Sequence, residues 1–472
     1  VLFNTLVFGV FFAVVWPAWW VLPPRVKKAW LLLASFVFYG WWDWRFLSLL
    51  LLSGLVDFFV AAAMPDDDGT EATSWRRRRL LTTSVVVNLS ILGTFKYLGF
   101  FSQEAARLLS LLGVDVPAPT LDIILPVGLS FYTFQSMAYT IDVYRGAKPT
   151  RSLLDFLCYL SFFPQLVAGP IERAHHLLPQ LEHPRRPSVR FLQEGLLLFV
   201  WGLFKKVVVA DNLSPLVERV FDQGHGGAAA VLLAAYAFTW QIYCDFSGYS
   251  DMARGLARCF GVDVMVNFAR PFFAASPREL WRRWHISLSR WLRDYLYIPL
   301  GGSRQGAAGT MRNLMLTMLL GGLWHGANWT FLVWGGVHGA ALALQRALGV
   351  ELKLRWGLRR LLLVVATFHL TAICFVIFRA HDLGQVGSLA MSLASIPLAG
   401  LQATAEDLTG LRLLALLAGV VLTWEIVEER NDDPLWAMKL PGPVRVAGYA
   451  LAVLLIVVMG GSYGQPFIYF QF

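Results

Sequence analysis

Twelve apolar runs punctuate this chain, at residues 3–22, 30–43, 46–64, 80–101, 122–142, 191–209, 227–246, 313–327, 329–345, 360–379, 411–427 and 445–460. About 20 apolar residues carry a helix across the hydrocarbon core of a bilayer. In that medium the backbone has no water to bond to, so a crossing segment must satisfy its own hydrogen bonds as a helix or in a closed barrel. The runs predict an all-α, polytopic membrane protein with about 12 spanning helices. Only 15% of the 472 residues are charged, against about 25% in a soluble domain, which closes off a water-soluble reading. One integral membrane domain is expected over residues 1–472, with amino-terminal helices over 1–120, a core over 121–346 and carboxyl-terminal helices over 347–472.

Basic residues orient the runs. Arg25, Lys27 and Lys28 follow the first, Arg76 to Arg79 follow the third, and Arg145, Lys148 and Arg151 follow the fifth. Every second loop is basic, which assigns those loops to the cytoplasm and both termini to the outside. The clusters Arg185, Arg186, Arg190 and Lys353, Arg355, Arg359, Arg360 keep the alternation. The net charge of +9 is therefore a topology signal, and nucleic acid is not an expected partner. The first run has no basic leader and no small-residue cleavage site, so a retained helix is expected there. Cys158, Cys244, Cys259 and Cys374 lie far apart, which suggests neither a zinc site nor a disulfide framework. No bound metal or cofactor is expected.

Two stretches do not read as simple crossings. Leu153 to Pro170 is apolar but carries the helix breakers Pro164, Gly169 and Pro170, and Arg270 to Arg304 interleaves aromatic with basic residues. Both are expected to be re-entrant, because irregular backbone at membrane depth must be buried in protein or line a wet cavity. The charged segment Asp66 to Arg79 reads as a solvated linker.

Polar residues that could do chemistry concentrate between Tyr243 and His338, and ionisable groups within a membrane are costly enough to mark function. His325 stands in GGLWHGANWT between two apolar runs. A neutral imidazole there could take a proton from a hydroxyl, although a histidine bonding a neighbouring helix is the plainer reading. His285 stands in ELWRRWHISLSRWLRDYLYIPLGGSR. If that stretch is one helix, Trp281, Trp284, Leu288 and Trp291 form an apolar stripe and Arg282, Arg283, Arg290 and Arg293 project elsewhere. It is then either a lipid-headgroup anchor or the entry for a phosphorylated cytosolic donor. His338 lies 13 residues after His325, about 20 Å along a straight helix, and reads as packing unless a turn brings the two together. Asp245, Asp251 and Asp294 would pair with nearby arginines or orient a histidine, pairing being the commoner use. No phosphate-binding loop or nucleophile-elbow motif occurs.

The stretches Ile124–Gly146, Phe162–Arg173, Gly202–Asn212, Gln241–Gly255, Asn267–Arg304 and Asn313–Gly339 resemble the membrane-bound O-acyltransferase (MBOAT) family, in its alginate O-acetylation branch. The resemblance extends to the amino-terminal FNTLVFGVFF and the carboxyl-terminal PFIYFQF. It implies a multi-helix fold around a central funnel in a bacterial inner membrane. It further implies a cytosolic acetyl-CoA donor, a hydroxyl acceptor for extracellular polysaccharide, and an SGNH-type acetyltransferase partner. By the same resemblance His325 is the catalytic histidine and His285 the second signature histidine, nearer the cytosol. The expected substrate-binding residues are Arg282, Arg283, Trp281, Trp324, Asn328 and His338. The family's relatives that transfer D-alanyl groups or acetylate peptidoglycan are the alternatives within this fold. Outside it, a proton-relaying transporter and a non-enzymatic scaffold of a polysaccharide export complex are the rival classes.

Overall fold

A computed structural model describes residues 2–117, 124–184, 188–349, 355–396, 400–460 and 467–468. Arg185, Arg186 and Lys353 of the basic clusters, the start of the 122–142 run and most of the terminal PFIYFQF lie outside the described residues. Every regular element among the described residues is helical, and each of the twelve apolar runs falls on a helix. Among the described residues, six helical stretches have the length and apolarity to cross a membrane: Val26–Ala62, Glu71–Leu111, Ala228–Cys259, Leu358–Arg379, Ala405–Asn431 and Gly442–Met459. The first of these is two helices, because the tight turn Trp44–Phe46 starts from an extended Asp43 and redirects the chain. The protein is a multi-pass membrane protein.

The chain divides into two compact units, residues 1–191 with 256–265, and residues 192–255 with 266–472. The first unit contains α1 (Leu6–Val21), α2 (Pro24–Asp43), α3 (Leu47–Ala62), α4 (Glu71–Leu92), α5 (Leu98–Leu111), α6 (Leu129–Tyr144), α7 (Leu153–Ser161), α8 (Phe163–Leu166) and α9 (Ala174–Glu182). Where α3, α4 and α6 pack together, Asp57 is fully buried. It accepts hydrogen bonds from the Ser84 hydroxyl and from Asn88 Nδ2 at 2.9 and 3.1 Å, and Asn88 Oδ1 in turn accepts from Ser53 at 2.6 Å. Buried polar groups of this kind must be partnered within the protein. The expected re-entrant stretch is here too. With nine residues, α7 rises only about 14 Å, less than half of a hydrocarbon core about 30 Å thick. Pro164 then opens the one-turn α8. Phe156, Tyr159, Phe162 and Phe163 of this stretch are all buried, so its irregular backbone is enclosed by protein.

Most of α10 (Val189–Phe204), α11 (Asp211–Phe221) and most of α12 (Ala228–Cys259) belong to the second unit. It continues through α13 (Pro277–Arg283), α14 (Ile286–Leu292), α15 (Gly306–His325), α16 (Trp329–Ala347), α17 (Leu358–Arg379), α18 (Leu383–Ala394) and the helices Ala405–Asn431 and Gly442–Met459. Between α10 and α11 the helix widens into a π turn over Lys205–Ala210. Lys206 there bridges Asp211 and Asp245, each at 2.7 Å, while Lys205 meets Asp251 at 2.6 Å. Asp294 pairs with Arg293 at 2.7 Å. The three carboxylates singled out in the sequence thus form ion pairs: Asp245 with a lysine, Asp251 with Lys205 and also with Arg254 at 3.6 Å, and Asp294 with an arginine.

The antiparallel hairpin α15–α16 sets the site. Its helices touch backbone to backbone at two glycines: a Cβ at Gly322 would lie 2.2 Å from the Phe331 carbonyl oxygen, and one at Gly335 2.3 Å from that of Met318. Only glycine permits this approach. The turn between the helices is Gly326–Asn328, and Asn328 caps α16 by accepting from Thr330 N at 3.0 Å while its Nδ2 donates to the His381 carbonyl at 2.7 Å. Asn328, expected at the substrate, therefore has a capping role in the structure.

Candidate active site

The stretch from Glu279 to Tyr297 is not one amphipathic helix. Ser276 caps α13 and Pro277 opens it, but the helix stops at Trp284, which is extended (φ −102°, ψ 130°), and His285 adopts a left-handed conformation (φ 41°, ψ 55°) before α14 begins. The apolar stripe expected on a continuous helix is split. Trp284 turns into the core, with its ring 5.0 Å from Phe268 and 5.1 Å from Phe375, whereas Trp281 stays on the other side of the break.

Asn267 makes the break possible. Its carbonyl oxygen accepts from Ile286 N at 2.9 Å, and its side-chain Oδ1 accepts from Ser287 N at 3.2 Å and Ser287 Oγ at 2.9 Å. The Ser287 N–H can only donate, which fixes the amide orientation. His285 Nδ1 lies 3.2 Å from the same Oδ1 and must carry the proton to bond there, leaving Nε2 as the basic nitrogen of the neutral ring. The imidazole is fully buried, with Phe246 edge-on at 4.7 Å and Trp324 at 5.9 Å. A non-glycine residue held in left-handed backbone stores strain that the surrounding bonds must offset.

His325 ends α15 and is buried. Trp324 at 5.0 Å, Trp334 at 5.1 Å and Phe378 at 5.2 Å surround its ring, so Trp324 touches both His285 and His325. The turn after His325 brings α16 back alongside, and Trp334 also lies 4.8 Å from His338. The 13-residue separation is thus bridged by a single indole. His338 in turn meets Trp281 at 5.1 Å, and Trp281 meets Trp334 at 5.7 Å.

Trp281 lines a cavity of about 740 Å³ in the second unit. Arg278, Arg282, Arg290, Arg293 and Arg346 also line it, and its lining includes no carboxylate among the described residues. Five guanidinium groups around one cavity, that of Arg293 paired with Asp294 at 2.7 Å, give it the chemistry to take an anion, phosphate above all. Arg283 does not line it; its guanidinium is held by Glu279 and Glu429, each at 2.9 Å, in a chain of ion pairs that continues from Glu279 to Arg360 at 2.8 Å. The structure thus brings together Trp281, Arg282, Trp324, His325 and His338 along one path with His285 beside Trp324, and leaves Arg283 and Asn328 in structural bonds. Trp334 stands four residues before His338, on the same helical face, and that spacing was the available signal for it. Asn267 had no local signal, being 18 residues from His285.

A sequence model of the membrane-bound O-acyltransferase family matches residues 36–378. The chain is 39% identical over 432 residues to the probable alginate O-acetylase AlgI of Azotobacter vinelandii, covering 90% of this chain and 83% of that protein. It is 42% identical over 420 residues to the probable alginate O-acetylase AlgI of Pseudomonas aeruginosa, covering 87% and 78%. It is 35% identical over 410 residues to the peptidoglycan O-acetyltransferase of Helicobacter pylori, covering 79% and 76%.

Proposed function

The chain belongs to the membrane-bound O-acyltransferase family, and from that premise we propose that it moves an acetyl group from cytosolic acetyl-CoA to a hydroxyl destined for an extracellular polysaccharide. The observation that carries this reading is the arginine-lined cavity, whose wall residue Trp281 leads through Trp334 and His338 to His325. A volume near 740 Å³ is in the range of small-molecule sites. Arg278, Arg282, Arg290, Arg293 and Arg346 suit the phosphates of coenzyme A, and the aromatic path suits its uncharged pantetheine arm.

In this reading His325 is the general base. It removes the acceptor's hydroxyl proton as the oxygen attacks the thioester carbon; the C–O bond forms, the C–S bond breaks, and the proton passes from the imidazole to the departing thiolate. His285, fixed by Asn267 with Nε2 basic, stands on the donor side. Holding donor and acceptor in one confined site supplies effective molarity worth about 7–11 kcal/mol. The relatives named alginate O-acetylase favour an exopolysaccharide acceptor of the alginate type, reached through an SGNH-type partner outside the inner membrane. The relative named peptidoglycan O-acetyltransferase keeps peptidoglycan as the second reading.

The purified protein in lipid vesicles, given acetyl-CoA and an acceptor polysaccharide, is expected to release free coenzyme A thiol, and His325→Ala at equal membrane level is expected to abolish that release. An intact thioester in the presence of every acceptor, or unchanged release by His325→Ala, overturns the reading in favour of a transporter or a scaffold. Acetyl analysis of surface polymers with and without the protein identifies the acceptor.

A further inference from the structure

Trp281 Nε1, Trp334 Nε1 and His338 Nδ1, all in the second unit, are buried with no hydrogen-bond partner among the described residues. They belong to side chains in mutual ring contact, at 5.7 Å for Trp281 and Trp334, 5.1 Å for Trp281 and His338, and 4.8 Å for Trp334 and His338. Buried polar groups are almost always paired, and each exception asks for an explanation. An indole N–H can only donate, so neither tryptophan can satisfy the other. What the two indoles lack is an acceptor atom. One edge of it, Trp281, faces the arginine-lined cavity, and the other, Trp334, packs against His325.

We propose that Trp281, Trp334 and His338 form the seat of the donor's thioester carbonyl, with the Trp334 N–H donating to the carbonyl oxygen during transfer. This rests on the acyl-donor reading above and deepens it. The donors are neutral and the groups in ring contact with them are aromatic, which fits an uncharged carbonyl in the ground state. As the acceptor's oxygen bonds to the thioester carbon, the carbonyl oxygen takes the negative charge that the C=O electron pair leaves on it. Collapse restores the carbonyl and expels the thiolate, which takes the proton that His325 removed from the hydroxyl. Preorganised donors placed where that charge develops accelerate acyl transfer. Trp334 is then a catalytic residue, since it touches the reacting carbonyl, and Trp281 guides the arm toward it.

Two inert coenzyme A thioethers separate this seat from the donor reading: an S-acetonyl derivative, which keeps a ketone carbonyl, and an S-ethyl derivative, which has none. The wild-type protein is expected to bind the ketone about five- to tenfold more tightly, the worth of one good hydrogen bond, and Trp334→Phe to lose most of that preference. Because the ratio is taken within one protein, a general loosening of the fold leaves it unchanged. Trp334→Phe is further expected to lower kcat about 10²-fold with donor KM nearly unchanged, and Trp281→Phe to lower it less. Equal wild-type affinity for both derivatives overturns the seat, which would then hold an ordered water, and leaves the donor reading standing. Binding of neither derivative removes the donor reading and the seat with it. Wild-type turnover by Trp334→Phe also overturns the proposal, and should that variant fail to accumulate, the wild-type ratio decides.

Discussion

Two buried polar clusters in this protein are built in opposite ways. In the first unit, Asp57, Ser84, Asn88 and Ser53 bond to one another across α3 and α4. In the second, Trp281, Trp334 and His338 touch ring to ring yet leave three nitrogens without a partner among the described residues. A closed network is complete without a ligand, and its free energy goes into holding helices together where lipid offers no hydrogen bonds. An incomplete one costs stability until something supplies the missing acceptor. By this contrast the Asp57 network is self-sufficient scaffold, while the Trp281–Trp334–His338 cluster is where the proposed substrate would complete the bonding.

The comparison is sharpest at His325. His325→Ala is expected to reduce turnover by about 10³-fold or more, the range of a lost general base, while thermal stability in detergent changes little; an unfolded variant would instead place His325 with the scaffold. Next is Asn267→Ala, expected to lower turnover about 10²-fold because the His285 ring loses its fixed tautomer and position. Asn267→Asp keeps the accepting oxygen and is expected to recover part of the loss, a rescue that a merely space-filling role does not predict. On the scaffold side, Asp57→Ala is expected to cost about 1–3 kcal/mol by removing the acceptor of the Ser84 hydroxyl and of one Asn88 amide bond, read as a lower melting midpoint with unchanged turnover per folded molecule. A fall in turnover without a fall in stability would erase the distinction drawn between the clusters. The smallest effect is expected at the cavity wall. Arg282→Gln or Arg290→Gln should raise donor KM about tenfold with kcat nearly constant, and the wild-type KM should rise with salt as exposed charge pairs are screened.

Much of the fold was legible because hydropathy is a local property. Each apolar run reports the cost of exposing its own residues, so length and composition alone placed a helix on every one of them. The breakers Pro164, Gly169 and Pro170 likewise pointed to a stretch that could not cross, which α7 and α8 bear out by being short and buried. The helix expected across His285 failed for the same reason that local reasoning succeeds elsewhere. Residues 281 to 291 carry a helical period, but bonds from Asn267 hold His285 in left-handed backbone and split it. Arg282 and Arg283 look equivalent in sequence; only the carboxylates of Glu279 and Glu429 remove Arg283 from the cavity wall.

By itself the sequence determined that this is an all-helical membrane protein, because insertion into lipid is decided residue by residue along a run. The tertiary structure alone decided which side chains meet: Asn267 with His285, Trp334 between His325 and His338, and five arginines around one cavity. Those meetings depend on where the chain reverses and how closely glycine lets α15 and α16 approach, and no window of sequence contains both partners of such a contact.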